Sequence, residues 1–124
     1  FMGGTWQNVY GGIKESETAW QAALRELREE TGLTPLEFYQ LDTVNSFYLA
    51  HDDCIWNCPG FCAIVSPSAE VVLNEEHDAY RWVQRDDYAA GLMWPGERAA
   101  CAELCREILD NGPAKPYLRI KAIY

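Results

Sequence analysis

Three glutamates, Glu26, Glu29 and Glu30, fall close together in the stretch TAWQAALRELREET at residues 18–31. If that stretch is helical, Glu26 and Glu30 share one side and Glu29 lies on the adjoining one. Like charges at such spacing cost a helix about 0.2–0.5 kcal/mol per pair, and a bound cation relieves the repulsion. Carboxylate oxygens suit Mg2+, whose remaining positions phosphate oxygens readily fill. A solvated face is the competing explanation, because Glu forms helices well and Arg25 and Arg28 are near enough to soften the charge. The preceding loop adds weight to the metal reading. Gly11 and Gly12 allow a close backbone approach, and Glu15 and Glu17 sit just before the helix, at its positive end. A glycine turn, an acidic loop and an acid-lined helix together meet the needs of phosphoryl chemistry: positioning, charge neutralisation and an activated water. No Ser-His-Asp or Cys-His arrangement stands out, so acyl transfer has little support.

The elements that must position these groups follow from patterning. Thr18 is a capping residue; Trp20, Ala23, Leu24 and Leu27 recur at helical spacing; Gly32 marks the stop. A strand with a bend is expected over 36–50, a polar turn at His51-Asp52-Asp53, and a short strand over 61–65. Further strands are expected at 6–10, 70–73 and 80–83, a short helix at 86–92 and a longer one at 97–109, ended by Asn111-Gly112-Pro113. The alternation in 117–123 predicts a late edge strand, where Arg119 and Lys121 suit exposure.

The bulk properties bound the function. With 124 residues, of which 48% are hydrophobic, the chain reads as a single domain over 1–124. No run of 18 apolar residues predicts a membrane span. Nineteen acidic residues against ten basic ones give a formal charge of −9, which disfavours long nucleic acid as a partner. The five cysteines are expected to be reduced thiols in a cytoplasmic protein, acting as small buried hydrophobes rather than as zinc ligands.

Residues 11–33, GGIKESETAWQAALRELREETGL, resemble the signature of the Nudix hydrolases. Gly11, Glu17, Arg25, Glu26, Leu27, Glu29, Glu30, Gly32 and Leu33 supply its fixed positions in register. Outside it, Trp6-Gln7, the run from Glu76 to Val83 and Trp94-Pro95 are similar to features of (d)NTP and dihydroneopterin triphosphate pyrophosphatases and of dinucleoside polyphosphate hydrolases. The resemblance implies an α/β fold of the Nudix type, an α/β/α sandwich around a mixed sheet. Only ten residues precede Gly11, so the first strand or strands of that sheet are expected to be missing from this chain. Ser16 stands where many relatives have glycine.

The resemblance also implies roles. Glu26, Glu29 and Glu30, with the backbone of Gly11, are expected to hold the divalent ions, Mg2+ with Mn2+ as the alternative. Glu29, Glu30 and Glu76 are the candidates for the catalytic carboxylates. Arg25, whose fork matches a carboxylate, is expected to brace the site against Glu17. Trp6 and Tyr48 are candidate base-stacking surfaces, and His77 a candidate phosphate contact. The expected activity is hydrolysis of a phosphoanhydride bond of a nucleoside triphosphate or similar metabolite by a metal-activated water. Dinucleoside polyphosphates or nucleoside diphosphate-sugars are the alternative substrates, and a non-catalytic nucleotide-binding module is the alternative function. A homodimer is compatible with either.

Overall fold

In a computed structural model, which describes residues 8, 9 and 11–121, the first regular element is the helix α1, Ala19–Thr31. Its start is a reciprocal cap: the Gln21 amide donates to Thr18 Oγ1 at 3.3 Å, and the Thr18 amide donates to Gln21 Oε1 at 2.9 Å. Its end is Gly32, left-handed at φ 72°, whose amide donates to the Arg28 carbonyl. Of its expected apolar stripe Leu24 is buried and Trp20, Ala23 and Leu27 are half-buried; Ala22, outside that stripe, is buried as well.

A long, bent antiparallel hairpin follows. One arm is β1 (Glu37–Gln40) and β2 (Asn45–Leu49); the other is β3 (Cys54–Cys58) and β4 (Phe61–Ile64). β1 pairs with β4 from Glu37↔Ile64 to Gln40↔Phe61, and β2 pairs with β3 from Asn45↔Cys58 to Leu49↔Cys54. Between these ladders, residues 41–44 of the first arm face only Pro59 and Gly60 of the second. The longer arm must buckle, and Pro59 has no N–H to extend the pairing. The amides of Asp42 and Thr43 turn instead to the buried carboxylate of Glu103, donating at 2.6 and 3.1 Å. Both pairings are antiparallel, as short connections dictate, and no parallel pair occurs among the described residues.

The C-terminal half supplies helices: α2 (Tyr88–Gly91), α3 (Pro95–Glu103), which continues as a π-helical turn over Leu104–Leu109, and α4 (Lys115–Leu118). Pro95 stands at the first position of α3, where its missing N–H costs nothing. Tyr39, Leu41 and Cys62 pack with Ile108 and Leu118 on one side of the β1–β4 ladder. Phe38 points to the other side, stacked on Phe61 at 5.5 Å. Gln40 and Phe61 on that side share a groove with Ala19 and Trp20 of α1. The ladder therefore lies between α1 and the C-terminal helices, the α/β/α layering of the expected fold.

Several local expectations are corrected. Residues 70–73 and 80–83 are irregular, not strands: Tyr80, Trp82 and Val83 are exposed and form no ladder. The predicted 117–123 strand gives way to α4, because Pro116 favours a first helical turn; only Arg119 bridges, to Tyr39, and residues 122 and 123 lie outside those described. β3 was not anticipated, since Asn57 and the cysteines obscure its alternation. The 6–10 strand falls largely outside the described residues. None of the five cysteines is in a disulfide, but only Cys62 is buried and Cys54 is exposed. No helix among the described residues is long and apolar enough to cross a membrane.

Candidate active site

The acidic helix is organised around one guanidinium. Arg25 Nε donates to Glu17 Oε2 at 2.7 Å and Nη2 to Glu17 Oε1 at 3.0 Å, a two-pronged grip on one carboxylate. Nη1 donates to Glu26 Oε1 at 2.7 Å and to Glu29 Oε2 at 3.1 Å, and Nη2 also reaches the Gly12 carbonyl at 2.8 Å. A turn closes the loop behind Glu17: its amide donates to the Lys14 carbonyl, and its Oε1 accepts the Lys14 amide at 2.9 Å. Hydrogen bonding from Arg25 holds the Glu17 carboxyl below the usual carboxylate range, helped by the Lys14 amide, and the same bonds to Glu17 and Glu26 push the Arg25 pKa up. The guanidinium thus ties the glycine turn, the acidic loop and two helix carboxylates into one unit.

Gly11 enters this unit by shape. A Cβ built on it would lie 2.1 Å from Cδ of Glu26, so the backbone and that carboxylate occupy adjoining space only because the side chain is absent. Glu26 is half-buried in this contact, while Glu29 points to solvent at 52% side-chain exposure.

Glu30 has a different environment. It is buried at the last turn of α1, and its Oε1 lies 3.2 Å from Nε2 of His77. The chain returns to it from far along the sequence. Val72 donates its amide to the Thr31 carbonyl at 2.8 Å, pinning the incoming segment to the helix end. Asn74 then builds a turn: its Oδ1 accepts the Glu76 amide at 3.1 Å and its carbonyl accepts the His77 amide at 3.4 Å. That turn sets Glu76 and His77 beside Glu30, with one potential ligand atom from each of the three within 4.8 Å of the others.

The described structure thus gathers Gly11, Glu17, Arg25, Glu26 and Glu29 in one cluster and Glu30 with Glu76 in a second at the helix end. Tyr48 is not joined to either by a hydrogen bond. It is exposed on β2, and its hydroxyl donates to Asp53 at the hairpin turn at 2.7 Å. Trp6 lies outside the described residues. The Glu30–His77 pairing was not read from the sequence, although the Asn74-x-Glu76 spacing is a turn signal that could have suggested it. Nor was the Glu103 clamp, for which a lone glutamate in a helix gives no cue. The groove of about 480 Å³ bordered by Trp20, Leu41, Val44 and Ile120 carries none of the site carboxylates on its walls.

The donor set fits a divalent cation. Glu30 from the end of α1 and Glu76 from a remote loop bring carboxylate oxygens together, and hard oxygen donors of this kind suit Mg2+ or Mn2+. Comparison with known proteins agrees with the architecture. Residues 1–104 match the family model described as NUDIX domain. An octanoyltransferase from Myxococcus xanthus is 42% identical over 98 residues, 77% of this chain but 27% of that protein. The nucleoside triphosphatase NudI of Klebsiella pneumoniae is 31% identical over 91 residues, 68% of this chain and 64% of that protein. The chain therefore spans less than two thirds of these curated relatives. Among solved structures, a Nudix hydrolase from M. smegmatis, RenU, superposes with a TM-score of 0.65 at 28% identity, covering 91% of this chain and 70% of that one. By its signature helix, its layering and these matches, the chain belongs to the NUDIX domain family.

Proposed function

We propose that the chain is a divalent-metal-dependent pyrophosphohydrolase that cleaves a phosphoanhydride bond of a nucleoside triphosphate or a similar small metabolite. The observation that carries this reading is the convergence of Glu30 on α1 with Glu76 from the 74–77 turn, on the same helix that carries the Arg25-braced carboxylates. A site for one ordinary surface helix has no need of a carboxylate delivered from 46 residues away. Glu26, Glu29 and Glu30, with the backbone at Gly11, are the groups that would hold the metal, and their oxygen donors admit either Mg2+ or Mn2+. Once bound, the ion would supply neutralisation of the polyphosphate charge and activation of a water at neutral pH.

The protein groups do the rest. Arg25 keeps Glu26 and Glu29 oriented without being consumed in the reaction. Glu76, exposed on the 74–77 turn, and Glu29, exposed on α1, are the carboxylates able to accept a proton from an attacking water. Glu30, being buried, is placed to ligate an ion rather than to exchange protons with solvent. The small-nucleotide reading is supported by the name of the Klebsiella relative, a nucleoside triphosphatase, and by the net charge of −9, which does not favour a long polyanion.

Incubating the protein with Mg2+ and equal concentrations of dATP, GTP, dihydroneopterin triphosphate, diadenosine tetraphosphate and ADP-ribose in ¹⁸O-labelled water tests this. Consumption of a triphosphate, with label in one phosphate-containing product, is the expected result. Preferential cleavage of ADP-ribose contradicts the triphosphate assignment and keeps the family chemistry. Binding without turnover on every compound contradicts the enzyme and favours a nucleotide-binding module.

A further inference from the structure

His77 is the group that a purely carboxylate account of this centre leaves unused. Its Nε2 lies 3.2 Å from Glu30 Oε1, and both atoms lie within 4.8 Å of a Glu76 oxygen. Two ligands at right angles around one ion, each about 2.1 Å from it, stand about 3 Å apart. The His77–Glu30 separation of 3.2 Å is close to that value. The ring is only 25% exposed and the Glu30 carboxyl 4%, so neither side chain samples solvent freely. Their backbones are also tied: Val72 to Thr31 through its amide, and Glu76 and His77 to Asn74 through the turn.

Building on the metal-dependent reading above, we propose that His77 Nε2 is itself a metal ligand, alongside Glu30 and Glu76. The centre at the end of α1 is then a mixed nitrogen–oxygen site, selective for a first-row transition ion such as Mn2+ over Mg2+. Mg2+ gives up water reluctantly and takes oxygen ligands, whereas an imidazole nitrogen favours transition ions over it. The competing role for the same contact is a hydrogen bond from Nε2–H to Glu30, which would orient a ligating carboxylate without touching the ion. The two roles place the nitrogen at different distances from the metal, and a spectroscopic measurement separates them.

The test uses the full chain loaded with one equivalent of Mn2+ at pH 7.5, read by three-pulse electron spin echo modulation. Nitrogen-14 modulation of a directly bound imidazole is expected in the wild-type protein and should vanish in His77→Gln, with circular dichroism confirming that the variant is folded. In parallel, calorimetric titrations should show the ratio of the Mg2+ to the Mn2+ dissociation constant falling about tenfold in His77→Gln, a difference of about 1.4 kcal/mol. Tight Mn2+ binding without directly coupled nitrogen in the wild type would overturn the His77 assignment and leave the carboxylate site intact. So would a nitrogen signal that persists in the variant. Failure of the wild type to bind Mn2+ or Mg2+ at all would overturn both this assignment and the metal-dependent reading beneath it.

Discussion

Gly11 and Glu26 are fitted to one another: a Cβ on the glycine would fall 2.1 Å from the carboxyl carbon of the glutamate. Fifteen residues apart in sequence, they meet because Arg25 holds Glu26 on one side and the Gly12 carbonyl on the other. Gly11→Ala is therefore expected to displace the Glu26 carboxylate while leaving the helix intact. Metal affinity should fall by about tenfold, a cost of about 1.4 kcal/mol. Titration of Mn2+ into wild type and variant, with circular dichroism as the control for folding, measures it. Unchanged affinity would show that the close approach does not serve the metal.

Arg25→Lys should be more damaging than a charge-conserving change suggests. A single ammonium cannot reproduce the grip on Glu17 together with the contacts to Glu26, Glu29 and Gly12. Loss of activity by at least about tenfold is expected, with a lower midpoint of urea unfolding. Wild-type turnover in the lysine variant would remove Arg25 from the positioning machinery.

The same brace carries a pH signature. Arg25 holds the folded-state pKa of Glu17 below its ordinary value of 4.5. The unfolded chain therefore binds the proton first, so the contribution of Glu17 is fully present above about pH 4.5 and is lost as pH falls through the lower folded value. Glu17→Gln should flatten the fall in melting temperature between about pH 5 and pH 3. Parallel curves for the two proteins across that window would contradict the brace.

Cys62 and Cys54 should differ in reactivity. Burial pushes the Cys62 thiol up to about 11, whereas Cys54 is exposed. Iodoacetamide requires the thiolate, so at pH 8.5 peptide mapping should find Cys54 alkylated well before Cys62 in the native protein. Equal rates would mean that the β4 face opens readily.

How much of this was legible in the sequence differs by element. Thr18 and Gly32 bounded α1 because capping and left-handed geometry are local requirements, satisfied by residue type alone. The Arg25–Glu17 pairing was anticipated from the fork of the guanidinium and the signature spacing. The hairpin was only half visible: the bend after β1 was expected, but the mismatch of four residues against two depends on Glu103, some 60 residues away. No local pattern encodes that distance. The meeting of Glu30 with His77 is hidden for the same reason, since it depends on Val72 docking at the end of α1. The segments 70–73 and 80–83 carried strand-like composition, but composition does not supply the partner strand that would satisfy their backbones.

The most direct measurement is magnesium-dependent turnover of a nucleoside triphosphate by wild type and by Glu30→Gln, followed by phosphate or pyrophosphate release across a Mg2+ titration. Substituting the carboxylate at the junction of α1 and the 74–77 turn should lower turnover by at least about 100-fold, more than loss of an outer-sphere partner costs. Circular dichroism should show a folded variant, its melting temperature unchanged or slightly raised, because one like charge has left the helix. Wild-type turnover by Glu30→Gln at limiting Mg2+ would contradict the assignment of Glu30 as a metal ligand, and with it the site proposed for this chain.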